Sequence, residues 1–289
     1  MKVAVLGNCQ ARSLAAALAW ASPDIEATEI VWSGVRDETH AEQIRDSLAA
    51  YDLVLSQPYK GFRALRPKLI DRFAPRAIYY PRFYFTGLHP DARKMTVGPG
   101  SFQFGVWHSN LAMAAFVRGV PVQEAADLYN AYLYGVLGYY DDYARAEALQ
   151  IDAGRQLGLD LAEAFEGWRG QVFADDPVHQ HLTVGVAMAE ALIAAHGLDR
   201  TPDEARGPLP ADPLAGGFVW PIYPEVARRH TITGAAAPDV IFRNAERDPE
   251  VGLQQMLQEA YSAYAAAPEA VAAQPGLAEA VETLRREGV

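Results

Sequence analysis

Short apolar runs alternate with alanine-rich and amphipathic segments along the first hundred residues. The apolar runs are typical of strands buried in a sheet, and the segments between them have the composition of helices. The strands are predicted at 2–6, 26–32, 52–57 and 76–80, and the helices at 11–20, 40–51 and 64–73. Repeated strand–helix units imply a parallel sheet with helices on both faces and right-handed crossovers. The pattern therefore predicts an α/β fold.

The second half of the chain is predicted to be mainly helical. In the segment 182–197, Leu182, Val186, Ala189 and Ile193 fall on one face, which indicates an amphipathic helix packed on a core. Further helices are predicted at 111–119, 122–138, 159–170 and 276–289, and short strands at 218–223 and 239–244.

Residues 199–217 carry four prolines and no hydrophobic period, which predicts a loop. Two interpretations are open for it, a functional lid and a surface excursion. We expect a catalytic α/β domain with helical additions over 1–198 and a C-terminal extension over 199–289 that packs on it.

Composition narrows the functional classes. The net charge of −11 and the pI of about 5.1 argue against a nucleic-acid-binding protein, which needs a basic surface. No apolar run approaches the roughly 20 residues that cross a bilayer, and Met1 leads directly into a strand without a signal-peptide pattern. One cysteine allows no internal disulfide. We expect a cytoplasmic protein without a membrane span.

The loop Gly7-Asn8-Cys9-Gln10 follows the first predicted strand and precedes the first predicted helix. Ligands of open parallel sheets bind at the carboxyl ends of strands, and the amino end of a helix favours an anion. There Cys9 would be a nucleophile as its thiolate, and the backbone N–H groups with the Asn8 or Gln10 amide would bind an oxyanion. The alternative is that Cys9 is a small buried residue, since free cysteines are often buried.

A nucleophilic cysteine needs a base, and His179 is the preferred candidate because Asp176 precedes it by three residues and could orient its imidazole. His89 and His108 lie in loop-like contexts beside glycine or proline and are candidates for a substrate pocket. His179 and His181 could also ligate a metal, but a lone H-x-H without a third ligand does not predict one.

Four segments resemble the WcbI-type capsular polysaccharide biosynthesis enzymes: VLGNCQA, DLVLSQPY, YPRFYFTGLHPD and FGVWHSN with the helix that follows it. The resemblance covers roughly residues 1–200. It implies an SGNH/flavodoxin-like three-layer core, coenzyme A binding and acetyl transfer to a sugar hydroxyl. Compared with SGNH hydrolases, Cys9 would replace the serine after the first strand, and Asp176 with His179 would complete the triad. Either His179 or His181 could be the family's histidine.

The resemblance also implies a coenzyme A site at the strand ends. Arg12, Lys60, Arg63 and Arg82 are candidate partners of its phosphates, and Gln57 and Tyr59 would face the same crevice. Two mechanisms fit these residues, an acetyl-Cys9 intermediate and direct attack by a sugar hydroxyl that His179 deprotonates.

The sequence thus predicts a coenzyme A-dependent O-acetyltransferase whose partners are an acyl donor and a sugar acceptor. An SGNH-like esterase, which uses water as acceptor, is the second interpretation. The third is a non-catalytic protein that binds a phosphate or nucleotide at the Cys9 loop, and a sulfotransferase-like role is a fourth.

Overall fold

A computed structural model describes residues 1–95, 106–202, 205–235, 240–244 and 250–289. Contacts divide the chain into two units, each built from three segments. The first unit comprises Met1–Tyr84, Ala148–Trp168 and Val178–Ala215, and the second comprises Phe85–Glu147, Arg169–Pro177 and Gly216–Val289. The domain boundary predicted after residue 198 stays a prediction.

Strands and helices alternate in the first part of the chain, and helices dominate the rest. The strands are β1 Lys2–Gly7, β2 Glu26–Val31, β3 Leu53–Ser56, β4 Ala77–Tyr79, β5 Ala92–Lys94, β6 Trp107–Ser109, β7 Phe218–Val219, β8 Ile241–Asn244 and β9 Glu250–Gly252. The helices are α1 Gln10–Ala21, α2 Glu38–Ser47, α3 Pro67–Phe73, α4 Asn110–Val117, α5 Val122–Ala125, α6 Ala131–Val136, α7 Asp142–Arg155, α8 Ala162–Trp168, α9 Leu182–His196, α10 Pro224–Arg229, α11 Leu253–Ala266, α12 Pro268–Ala272 and α13 Leu277–Arg286.

The first unit contains a parallel sheet in the order β2–β1–β3–β4. This confirms the predicted mixed α/β fold with a parallel sheet. The central strand β1 pairs with β3 from Val3 opposite Leu53 to Leu6 opposite Ser56. The chain leaves β1 toward β2 on one side and leaves β3 toward β4 on the other. The carboxyl ends of β1 and β3 therefore flank the point where the connections diverge.

Helices cover both faces of this sheet. Ala4, Leu6 and Val54 pack against α2 and α3 in one buried cluster. Because side chains alternate along a strand, Val3 and Val5 point to the other face, where α1 packs on β1 and β2. Helix α9 packs on α1. The contact is close, since a Cβ on Gly185 would lie 2.7 Å from Ser13 Oγ.

The loop predicted at 199–217 is confirmed where the structure describes it, and residues 203 and 204 of it lie outside the described part. Its first half packs on α1 and α9. The Trp20 indole donates to Gly207 O at 2.8 Å, and the Arg206 guanidinium lies 4.8 Å from the Trp20 ring centroid. Arg206 also pairs with Glu190 at 2.8 Å and is almost fully buried.

The second unit contains the antiparallel pair β5–β6 and the antiparallel sheet β7–β8–β9, with α11, α12 and α13 packed on α4. Its main buried polar group is Asp91, which is fully buried. The Asp91 carboxylate accepts from Tyr139 Oη and Tyr223 Oη, each at 2.6 Å, and from the backbone N–H of Leu111 at the start of α4 at 2.8 Å. Burial raises the pKa of both tyrosine hydroxyls.

Several helix predictions need correction. The single helix predicted at 122–138 is wrong: α5 ends at Ala125, and α6 begins at Ala131 after the extended residue Asn130, whose side chain caps it by accepting from Leu133 N at 3.1 Å. Asparagine competes with the helix backbone in this way. The helix predicted at 159–170 is confined to α8, whereas α7, α10, α11 and α12 were not predicted.

The terminal helix and two strands in the last third are confirmed with shorter limits. Helix α13 occupies most of 276–289, β7 is limited to two residues of 218–223, and β8 begins at Ile241. The first residue of the strand predicted at 239–244 lies outside the described residues. Among the described helices, none is both long and apolar enough to span a membrane.

Candidate active site

The loop after β1 lies at the carboxyl edge of the parallel sheet, between the divergent connections. Cys9 takes helical dihedrals, φ −50° and ψ −27°, as the cap residue of α1, and it makes no side-chain capping bond. Its side chain is partly exposed. A small buried residue in the core is therefore not its role. The thiol belongs to a partly exposed residue at the amino end of a helix, where the partial positive charge favours an anion.

Most backbone N–H groups in and just after this loop donate a hydrogen bond within the protein. Asn8 N donates to Gln57 Oε1 at 3.0 Å, and Gln10 N donates to Asn8 Oδ1 at 3.0 Å. The N–H groups of the next two residues donate to carbonyl oxygens three residues earlier, Ala11 N to Asn8 O and Arg12 N to Cys9 O. Within the described part of the chain, the N–H of Cys9 and the Asn8 Nδ2 group donate to no acceptor. Both remain available to a ligand beside the thiol.

The side chains of Gln10 and Gln57 fix the Cys9 loop through hydrogen bonds. Gln57 Nε2 donates to Gln10 Oε1 at 3.0 Å, and that oxygen also accepts from Phe83 N at 3.1 Å. Gln10 Nε2 donates to Phe83 O at 2.6 Å and to Val178 O at 2.8 Å. Both glutamines are only 3% exposed. The Gln10 amide thus uses both of its donors and ties the Cys9 loop to the segments after β4 and before α9.

The hydrogen bond from the Gln10 side chain to Val178 O places the segment that carries His179 beside the Cys9 loop, because Gln10 follows Cys9 and His179 follows Val178. His179 is half-buried and belongs to the same unit as Cys9. His181, half-buried as well, precedes α9 as its cap residue. Among the described residues, no group of three histidine, cysteine or acidic side chains is arranged to hold a metal ion.

Gly7 ends β1 in a space with no room for a side chain. A Cβ there would lie 2.5 Å from Tyr80 Oη and 3.0 Å from Gln57 Oε1. The Tyr80 hydroxyl donates to Leu6 O at 3.0 Å, and burial raises its pKa. Tyr80 and Phe83 were missed by the sequence reasoning, because nothing in the run YYPRF distinguishes a residue that buttresses a site from one in the core.

Tyr59 follows β3 and stacks on Trp32, which follows β2, with ring centroids 4.5 Å apart and planes 19° apart. Both rings are half-buried. A Cβ on Gly61 would overlap the Tyr59 ring, so a residue with a side chain would not fit here unless the ring moved. The stack forms part of the surface at the carboxyl edge.

The four candidate phosphate-binding residues are all exposed and follow carboxyl ends of strands. Arg12 lies in the first turn of α1, Lys60 and Arg63 follow β3, and Arg82 follows β4. The Arg82 guanidinium lies 5.8 Å from the Tyr84 ring centroid. In the described structure these four cations form no ion pair. They are available to an anionic ligand.

Three predicted site residues belong to the second unit. Asp176 is fully buried and its Oδ2 accepts from Trp107 Nε1 at 3.0 Å. His108 is fully buried with Nδ1 3.3 Å from Tyr264 Oη, and burial lowers its pKa to about 4. His89 is 1% exposed and lines a cavity of about 360 Å³. The pairing of Asp176 with His179 stays a prediction of their spacing.

The fold and the loop define an α/β protein with an accessible cysteine at the divergence point of a parallel sheet. The chain belongs to the WcbI family of polysaccharide biosynthesis enzymes, whose family model matches residues 2–201. It is thus a member of an enzyme family.

Comparison with solved structures supports the fold assignment. A structure described as WcbI, a novel polysaccharide biosynthesis enzyme, in its native form without a disulfide bond between coenzyme A and a cysteine, is similar with a TM-score of 0.76. The two are 17% identical over 99% of this chain and 98% of that chain, which shows a shared fold. None of the curated proteins matches this chain.

Proposed function

We propose that this protein is a coenzyme A-dependent acyltransferase that transfers an acetyl group to a sugar hydroxyl in polysaccharide biosynthesis. The observation that carries the proposal is the accessible thiol of Cys9 at the amino end of α1, beside two N–H donors that no described residue uses. The family assignment supplies the polysaccharide context. The description of the solved relative links coenzyme A to a cysteine of that protein.

In the covalent route, the Cys9 thiolate attacks the thioester carbonyl of acetyl-CoA. The new Cys9 Sγ–carbon bond forms as the bond to the coenzyme A sulfur breaks, and the released thiolate takes up a proton. A sugar hydroxyl then attacks the acetyl-Cys9 carbonyl, giving its proton to His179 as the Cys9 sulfur leaves. Thioester exchange conserves bond type, so the first step needs no other reactant.

In the direct route, His179 accepts the proton of the sugar hydroxyl while that oxygen attacks acetyl-CoA, and the Cys9 loop binds the developing oxyanion. The same donors act in both routes. The Cys9 N–H and the Asn8 amide face the reacting carbonyl, and Gln10 and Gln57 are positioning residues because their amides are used inside the protein.

The charged part of coenzyme A is assigned to the exposed cations at the sheet edge. Its pyrophosphate and 3′-phosphate need several positive partners, since phosphate recognition in proteins relies on arginine and lysine. Lys60, Arg63 and Arg82 follow adjacent strands β3 and β4, so they occupy one edge together with Arg12. The overall charge of −11 makes these local cations necessary.

Intact-mass measurement after incubation with acetyl-CoA and no acceptor tests the chemistry. The covalent route predicts a gain of about 42 Da, one acetyl group, on the wild type and none on Cys9→Ser. Release of coenzyme A thiol with a panel of saccharide acceptors then tests transfer. Loss of that release in His179→Ala is expected for both routes, and its loss in Cys9→Ala is expected for the covalent route. Hydrolysis of p-nitrophenyl acetate without coenzyme A, combined with no coenzyme A binding, would replace the transferase by an esterase.

A further inference from the structure

The second unit contains a cavity whose lining includes none of the residues that act in the two proposed acetyl-transfer routes. Its volume is about 360 Å³, within the roughly 300–1,000 Å³ typical of small-molecule sites. Strands β7 and β8 form one wall, and four loop segments, at 89, 172–175, 220–222 and 234–235, form the rest. The lining includes Val219, Ile241 and Arg243 of the strands and His89, Asp175 and Trp220 of the loops.

The walls are held by backbone and ring contacts. Trp220 N donates to Asp175 O at 2.8 Å, which joins two of these loop segments. The Trp220 ring meets the Phe242 ring edge-on at 5.0 Å between centroids. Because side chains alternate along β8, Ile241 and Arg243 face the cavity while Phe242 is fully buried behind it. The cavity walls are therefore defined by the pairing of the strands and by contacts between the loops.

The polar groups of the lining complement each other. The Asp175 carboxylate only accepts hydrogen bonds, and the Arg243 guanidinium only donates them. Trp220 is 1% exposed, and its Nε1–H is buried without an acceptor among the described residues. Valine, isoleucine and proline side chains supply apolar surface between these groups. Such a lining fits a ligand that both donates and accepts and that also has an apolar face.

The charge of the lining favours a neutral ligand. The Arg243 guanidinium lies 3.3 Å from the Glu250 carboxylate, with which it forms an ion pair. Arg243 lines the cavity together with the acidic residue Asp175. A phosphate would meet no uncompensated cation among the described lining residues. A sugar ring meets all of these demands, since each hydroxyl donates and accepts and the C–H face is apolar.

We infer that this cavity binds a neutral saccharide. The inference rests on the proposed function, because a saccharide is the class of molecule that this function requires besides coenzyme A. It does not depend on which of the two acetyl-transfer routes operates.

The test is saturation-transfer NMR and titration of the full chain with methyl glycosides of hexoses, 6-deoxyhexoses, heptoses and N-acetylhexosamines. At least one glycoside is expected to bind the wild type. Arg243→Gln and Asp175→Asn should each weaken that binding at least fivefold. Glu250→Gln is the matched control, since it breaks the same ion pair without removing a lining residue, and it should bind within twofold of the wild type.

Thermal unfolding of each variant with and without coenzyme A accompanies the titrations. Variants that unfold like the wild type and keep its coenzyme A response show that lost glycoside binding is local. The inference is overturned if no glycoside binds, if both cavity variants bind as the wild type does, or if they lose coenzyme A instead. Glycoside binding without any coenzyme A response would refute the proposed function and leave the cavity assignment intact.

Discussion

The side chain of Gln10 donates to the main-chain oxygen of Val178 at 2.8 Å. Since Cys9 precedes Gln10 and His179 follows Val178, one hydrogen bond fixes the backbone of a thiol-bearing loop next to that of an imidazole-bearing segment. The two segments are 168 residues apart in sequence. The Gln10 amide is therefore a structural requirement of the proposed site.

Gln10→Ala should lower the free energy of unfolding by about 3 kcal/mol, because it leaves several buried partners without a hydrogen bond. Among these are Phe83 N and O and the Gln57 amide. Urea denaturation measures the change. The matched control is Gln43→Ala on the exposed face of α2, which should stay within about 0.5 kcal/mol of the wild type. Equal stability of the two variants would contradict the role of Gln10.

Gly7→Ala should be destabilising by about 2 kcal/mol, because the new Cβ would overlap Tyr80 Oη. Tyr80→Phe alone should cost about 1 kcal/mol through loss of its bond to Leu6 O. In the double variant the hydroxyl is gone, so the combined loss should be smaller than the sum of the two. A double-mutant cycle by chemical denaturation measures this, and strict additivity would argue against the overlap.

His108 should make the protein less stable in acid. Burial lowers its pKa to about 4 in the folded state from 6.5, so between those values the unfolded chain binds more protons. The contribution is fully present above pH 6.5 and is lost as the pH falls toward 4, up to about 3 kcal/mol in all.

Comparison of the wild type with His108→Asn from pH 7 to pH 4 measures the His108 contribution. The variant should show a shallower loss of unfolding free energy over this range. Gln43→Ala, which replaces an exposed residue of α2 that does not titrate, is the control and should keep the slope of the wild type. The same slope for His108→Asn and the wild type would contradict the assignment.

Lys60 and Arg63 should contribute to coenzyme A binding through its phosphates. The double variant Lys60→Gln/Arg63→Gln should bind coenzyme A roughly tenfold more weakly at low salt, and the difference should shrink as salt screens the charges. Isothermal titration at two salt concentrations measures both effects. Arg72→Gln, an exposed arginine in the last turn of α3, is the control and should bind normally. An unchanged affinity in the double variant would remove these residues from the site.

The sequence predicts the part of this fold that depends on local pattern. Apolar runs such as KVAVL and DLVLS predict buried strands, and the alternation of strands and helices predicts the parallel sheet. The position of Cys9 at a strand end follows from the same pattern. The break at Asn130 was missed because its side-chain capping competes with otherwise helical neighbours, and sequence pattern does not decide that competition.

The long-range polar contacts could not be predicted in this way. The bonds of Gln10 to Phe83 and Val178 join segments that are distant along the chain, and a glutamine at a loop end has no signature for such a role. The sequence around Asp91 likewise contains no pattern that predicts its hydrogen bonds to two tyrosines. Such groups are recognised only when the chain is folded, because their partners come from tertiary packing.

The most direct test of the account asks whether Cys9 lies in the coenzyme A site. Because the chain has one cysteine, iodoacetamide labelling followed by intact mass reports on Cys9 alone. Desulfo-coenzyme A, which cannot form a disulfide, at ten times its dissociation constant should slow labelling about tenfold. A labelling rate that saturating desulfo-coenzyme A leaves unchanged would contradict the account.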